Sequence, residues 1–220
     1  YIMCGRYIQT SKTRLIKKKF NIKNCTEEDF FSHNISPSKF SLIITNNKEI
    51  SLEKAKWGFS FYDKIKQIEK NVINSRIETI NTKVMFKDSY NSRKCIIPAN
   101  GYYEWQTINN KKIPYFIHIP ESESINFAGI WKYLNFNKNP LKVFIIITKT
   151  ANDYIKKIHE RMPVLLSNEE SHKYLNDKDN LYLNKNFNSE LEDCLEYYSV
   201  SKFVNNPLND TAECIKPIIL

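Results

Sequence analysis

Residues 142–148 read KVFIIIT, and this run constrains the fold more than any other stretch of the chain. Five apolar residues follow one another, and four of them are β-branched (Val143, Ile145, Ile146, Ile147). Such a run cannot alternate between a wet and a dry face, so it predicts a strand covered on both sides. A strand of that kind needs neighbours, and the chain offers them. SLIIT (41–45), the alternating PYFIHI (114–119), INFAGIW (125–131), MPVLL (162–166), EYYSV (196–200) and IKPII (215–219) all read as strands, and another is expected just ahead of Trp57–Phe61. CIIPANGYYEW (95–105) predicts two strands around Asn100-Gly101, a tight-turn signal. Segments 107–112 and 135–140 are polar turns, while NVINSRIETI (71–80) fits either a loop or a helix start.

Helices are fewer. TEEDFFSH (26–33) has Thr26 as an N-cap and acids in its first turn. ANDYIKKIHE (151–160) reads as a helix stopping before Met162-Pro163, and in SNEESHKYL (167–175) Ser167 and Glu170 are spaced as a capping box. Strands outnumber helices and mostly adjoin one another. The expected class is α+β, a single domain with a mostly antiparallel, barrel-like β core and peripheral helices.

A chain of 220 residues suits one such domain, and no apolar run approaches the ~18 residues of a membrane span. The five cysteines (Cys4, Cys25, Cys95, Cys194, Cys214) are odd in number and scattered. They argue against a disulfide framework and against a zinc site, and for an intracellular, reducing compartment. The net charge of +9 invites a nucleic-acid partner, although a chain crowded with Lys, Asn and Ile carries charge for compositional reasons too. The rarer residues say more. Only five of the 33 basic residues are arginine (Arg6, Arg14, Arg76, Arg93, Arg161), the type whose planar fork grips phosphate or carboxylate.

Arginines, glycines and tryptophans gather in or beside a few compact blocks. In chain order these include Met3-Cys4-Gly5-Arg6, Trp57-Gly58, Asn74-Ser75-Arg76-Ile77-Glu78, Arg93 through Trp105, and His159 through Pro163. Together with VSKFVNNP (200–207), this ordered set resembles the SRAP (SOS-response-associated peptidase) family across nearly the whole chain. The resemblance implies a protein that recognises abasic sites in single-stranded DNA and links itself to them covalently. No metal and no cofactor are expected. It makes Cys4, Asn74, Glu104 and His159 the catalytic candidates, and Arg6, Arg76, Trp57, Thr148 and Arg161 the DNA-binding candidates.

The residue types suit that chemistry on their own terms. A neutral α-amine, with an ordinary pKa of ~7.7–8, condenses with the aldehyde of an opened abasic sugar to an imine. The thiol of the same cysteine then closes a five-membered thiazolidine, both reacting groups being held on adjacent carbons. Glu104 is the acid/base at the sugar and the imine, and His159 titrates near neutrality. Asn74 would bond the sugar hydroxyl or the amine. Arg6, Arg76 and Arg161 would hold phosphates, Thr148 a phosphate or the sugar, and Trp57 would wedge or stack against bases. Without the blocks each residue has a blander reading: a lone buried Cys4, a solvent-facing Glu104, an exposed His159, an Asn74 helix cap. Trp105 and Trp131 read as core, and Glu78 as an orienting partner for Arg76.

Two other functions fit parts of the pattern, a purely non-covalent module for single strands and a thiol peptidase using Cys4. For the covalent chemistry the chain must start at Cys4, so Tyr1–Met3 is expected to be either an artificial remnant or a short pro-segment that the protein removes from itself. A monomer is expected, with the replication machinery as a further partner and, in a eukaryote, the nucleus as its compartment.

Overall fold

The buried run lies within a twelve-residue strand, Asn139–Thr150, at the centre of the protein. The computed structural model describes residues 4–218, except 24, 26–28, 64, 123 and 137–138. In chain order the strands are β1 (Tyr7–Gln9), β2 (Ser32–Ile35), β3 (Phe40–Asn46), β4 (Ile50–Trp57), β5 (Phe59–Asp63), β6 (Ile68–Val72), β7 (Asn74–Arg76), β8 (Lys94–Ala99), β9 (Gly101–Ile108), β10 (Lys111–His118), β11 (Ile125–Phe136), β12 (Asn139–Thr150), β13 (Arg161–Pro163), β14 (Leu165–Leu166) and β15 (Glu196–Ser199). The helices are α1 (Thr13–Lys19), α2 (Val84–Ser92) and α3 (Asn168–Asn176).

Five strands close a ring in the order β12, β4, β3, β8, β11 and back to β12. All its pairings are antiparallel except β4–β12, which is parallel. Ring closure is what covers both faces of β12. Val143, Ile145 and Ile147 join one apolar cluster with residues of all three helices, and Phe144 and Ile146 join another with Tyr7, Tyr102 and Cys4. A second antiparallel sheet, β15-β10-β9-β1-β2, packs beside the ring, and β5–β6 forms a separate ribbon. The class is thus the expected one, a single α+β domain on a barrel-like core. Among the described residues no helix is long and apolar enough to cross a membrane.

Several local expectations give way to the tertiary structure. β8 and β9 do not pair with each other across Asn100-Gly101: β8 belongs to the ring and β9 to the second sheet. The turn residues serve a corner at which the chain changes sheets. Asn100 accepts from the Thr10 amide at 2.7 Å through its side chain and donates its own amide to Ile8 at 3.0 Å. A tight hairpin turn does occur at Asn109-Asn110, both at positive φ, between β9 and β10.

Segment 151–160 holds only a 3₁₀ turn at Ile155–Lys157. β12 and β13 pair with Thr150 opposite Arg161, so the ten residues between them must return to their starting point. A ten-residue α-helix would separate its ends by ~15 Å, where the ladder needs about 5 Å. In TEEDFFSH, residues 26–28 lie outside those described, and Ser32 onward is drawn into pairing with β1. Asn74–Arg76, open between loop and helix, is a strand parallel to β12. The capping box of α3 forms as read, with Ser167 and Glu170 bonded reciprocally.

Candidate active site

The β1–β9 register builds the centre of the site. Tyr7 pairs with Tyr102, and the Tyr103 amide donates to the Arg6 carbonyl at 2.9 Å. One step further along, Cys4 arrives beside Glu104. The Cys4 amide donates to Glu104 Oε1 at 2.6 Å, with both residues buried. Cys4 has φ +41°, a left-handed backbone conformation uncommon for a non-glycine residue. Glu104 therefore breaks the outward alternation expected of a strand carboxylate.

Burial pushes the Glu104 carboxyl up to about 8, although hydrogen bonds from the backbone amides of Cys4 and Trp105 pull the other way. Near neutrality it holds a proton much of the time, as a general acid should. Burial, and after it the Glu104 charge, raises the Cys4 thiol well above the ordinary range, so the sulfur is a thiol and not a thiolate.

Glu104 opens onto a cleft that it shares with Arg76, Trp105, Lys112, His159 and Arg161. The β12–β13 loop carries His159 there. His159 Nδ1 lies 3.1 Å from the Arg161 amide nitrogen and 3.3 Å from the Arg161 carbonyl oxygen, so the Arg161 backbone holds the ring through this nitrogen. Burial lowers the His159 pKa, so the ring is mostly neutral at pH 7. Asn74 is half-buried on β7, and Arg76, two residues on, is exposed.

The remaining candidates separate. Trp57 is fully buried, its ring edge-on to Tyr7 at 5.1 Å and its Nε1 donating to the Ile73 carbonyl at 2.9 Å. It is a core residue, and the expectation that it stacks on bases is corrected by its burial. Thr148 is likewise buried, its hydroxyl donating to the Ser75 carbonyl at 3.2 Å. It fastens β7 to β12 instead of reaching out to a phosphate. Arg161 forms a two-pronged pair with Glu78, at 2.5 and 2.9 Å, and also donates to the Thr148 carbonyl. Glu78 thus orients Arg161, not Arg76. Arg6 donates to Asn34 Oδ1 at 2.7 Å and to the Val204 carbonyl at 2.8 Å, with its guanidinium 5.9 Å from the centre of the Trp105 ring.

Trp105 is the tryptophan at the cleft, half-buried, with Nε1 donating to Asn205 Oδ1 at 2.8 Å. It had read as core, as Trp131 indeed is. The signal for Trp105 lay in its position: on β9 it follows the buried Glu104, so its side chain emerges at the rim. Asn205 comes from the closing VSKFVNNP block, and Lys112, Lys156 and Lys157 add positive charge to the cleft lining.

A closed β ring with a flanking sheet, holding a cysteine against a buried glutamic acid beneath a cationic cleft, marks the chain as a cysteine-centred barrel protein. The chain belongs to the SRAP family: the model described as "SOS response associated peptidase (SRAP)" matches residues 3–207. It is 36% identical to the abasic site processing protein YoqW of Bacillus subtilis (strain 168) over 222 residues, covering 97% of this chain and 99% of that protein. It is 27% identical to the abasic site processing protein HMCES of Xenopus tropicalis, covering 86% of this chain and 67% of that one. A crystal structure of a Bacteroides thetaiotaomicron protein has the same fold, with a TM-score of 0.77 at 20% identity, covering 98% of this chain and 100% of the other.

Proposed function

We propose that the protein senses abasic sites in single-stranded DNA and captures them as a covalent thiazolidine on Cys4. The contact that carries this reading is the 2.6 Å approach of Glu104 Oε1 to the Cys4 nitrogen. That nitrogen is the atom that must attack, and Glu104 is a buried acid with a pKa of about 8. The relatives' names, abasic site processing proteins, supply the substrate.

The steps balance as follows. Glu104 assists opening of the deoxyribose to its aldehyde. The free Cys4 amine adds to C1′, and the hydroxyl so formed leaves as water on receiving a proton from Glu104. The Cys4 sulfur then bonds to the iminium carbon while its proton returns to the Glu104 carboxylate, which completes the ring and restores the acid. The net change is one water released. A thiol, not a thiolate, is the form burial favours here, which suits addition to an activated imine better than unaided attack on a peptide bond. In this reading His159, mostly neutral and held through Nδ1, relays protons in the cleft, and Asn74 bonds the sugar hydroxyl or the amine. Arg76 takes a flanking phosphate.

With Tyr1–Met3 attached, the Cys4 nitrogen is an amide and cannot form the imine. We propose that the segment leaves first. The Cys4 sulfur attacks the Met3 carbonyl as its proton passes to the Glu104 carboxylate, the C–N bond breaks as Glu104 returns that proton to the nitrogen beside it, and water hydrolyses the thioester to free the thiol and a Met3 carboxylic acid. One carboxyl would then serve both steps at one nitrogen.

Intact-mass measurement tests the reading. Protein beginning at Cys4 is expected to gain the mass of an abasic strand less one water, and to stay joined through heat and denaturant. Cys4→Ser should lose this heat-stable adduct, since the imine then reverts. A wild-type level of stable adduct from Cys4→Ser, or from chains that keep Tyr1, would overturn the mechanism.

A further inference from the structure

A smaller pocket of about 320 Å³ lies alongside the cleft, and Arg76 lines both. Its walls are β7 on one side and the head of α2 on the other, with Ser75, Lys83, Met85 and Phe86 among the lining residues. Three features of this pocket are unexplained by the chemistry at Cys4.

The first is the head of α2. Its N-cap, Lys83, supplies no side-chain bond, and no acid stands in the first turn. The Phe86 amide bonds back to the Lys83 carbonyl at 2.9 Å, but no such bond ties the Val84 or Met85 amide. The Val84 and Met85 amides, at the positive end of a nine-residue helix, thus have no hydrogen-bond acceptor among the described residues. The second is Ser75, only 2% exposed, whose Oγ has no hydrogen-bond partner among the described residues. A buried hydroxyl without a partner is costly, and a bound ligand would remove that cost. The third is charge. Arg76 and Lys83 stand on opposite walls, both exposed, while Met85 and Phe86 give the pocket an apolar side.

We propose that this pocket is a phosphate subsite for the DNA strand, taking the backbone phosphate of a nucleotide next to the reacting sugar. The phosphate sits against the α2 amides and Lys83, with Ser75 as an added donor and the sugar's apolar face on Met85. Arg76, common to pocket and cleft, bridges it to the reacting residue. The strand would therefore run from Glu104 across β7 to the head of α2. The proposal rests on the abasic-site reading given above, but it can fail on its own.

The experiment separates binding from capture. Single strands carrying a tetrahydrofuran residue, which has no aldehyde and cannot cross-link, are titrated by fluorescence anisotropy. Each flanking phosphate is replaced in turn by an uncharged methylphosphonate. Lys83→Ala is expected to weaken binding three- to tenfold at low salt and to flatten the salt dependence by about one phosphate's worth of slope. It should also abolish the penalty of methylphosphonate at one linkage only. Ser75→Ala should weaken binding less, with the same linkage affected. Lys178→Ala, a change at an exposed lysine outside both pockets, gives the baseline for loss of net charge. The subsite is overturned if Lys83→Ala matches Lys178→Ala, or if every linkage keeps its wild-type penalty. Cross-linking of an aldehyde-bearing strand is scored on the same preparations. Its absence from wild type beginning at Cys4 would sink the covalent reading, while a linkage-specific Lys83 effect would still establish the subsite.

Discussion

Glu104 is the residue on which most depends, and its burial carries a measurable cost. Its pKa rises from the ordinary carboxyl value of 4.5 to about 8 in the folded protein, chiefly by desolvation. Below pH 4.5 it is protonated in both folded and unfolded chains, and stability is unaffected. Between 4.5 and 8 the folded chain binds the proton more tightly, so stability falls as pH rises through this window and levels off above it. Glu104→Gln is neutral throughout and keeps an oxygen for the Cys4 amide. It is expected to be more stable than wild type by roughly 1–3 kcal/mol at pH 8.5, and about equal at pH 4. Adduct formation should meanwhile slow by ~10²–10⁴-fold. Urea denaturation at the two pH values checks the first point. A stability difference independent of pH would mean that Glu104 is not the buried acid described.

Among the elements, the β8–β9 corner sets the site, because it moves the chain from ring to flanking sheet just before Glu104. At Gly101 an added Cβ would lie 2.4 Å from Phe116 Cζ and 2.7 Å from the Ile117 carbonyl oxygen, a backbone atom with little freedom to yield. Gly101→Ala should therefore cost ~2–4 kcal/mol and, by moving β9 off β10, reduce cross-linking out of proportion to the lost stability. Urea midpoints paired with adduct yields well below the unfolding transition would test this. An unaltered midpoint would place the strain elsewhere. The strands were largely legible because β-branched runs and alternation are local signals. The corner was not, since Asn-Gly marks a reversal equally well when the flanking strands join different sheets. α1 and α2 carried no warning, for Lys12 and Lys83 are poor caps and neither first turn holds an acid. The 151–160 loop had helical spacing but had to close a hairpin. The site was legible in its blocks, which brought Glu104, His159, Arg76 and Arg161 to one cleft. It was misleading for Trp57 and Trp105, since a tryptophan's role depends on which sheet face it occupies.

At the scale of the molecule, the site joins two bodies of structure. Glu104 comes from the flanking sheet and Cys4 from the segment leading into it, while Arg76, His159 and Arg161 of the cleft come from segments attached to β12 of the ring. β1 is the tie between them. It lies between β2 and β9, and the side chain of Gln9 at its end is wholly buried. Gln9 Nε2 donates to the Pro98 carbonyl at 2.7 Å, and Gln9 Oε1 accepts from Ser41 Oγ at 3.0 Å and the Leu42 amide at 3.2 Å. Those partners belong to β8 and β3 of the ring. A DNA strand joined at Cys4 and drawn tight, as by an advancing motor, would load this arrangement directly. The tension would enter an interior strand with neighbours on both edges, so extraction must shear two ladders and uproot Gln9 before the chain can peel. On the proposed covalent reading, the fold is then expected to resist pulling as well as to hold the adduct. Optical-tweezer pulling on the adduct should find Gln9→Ala yielding at clearly lower force than wild type, and equal rupture forces would locate the resistance outside β1.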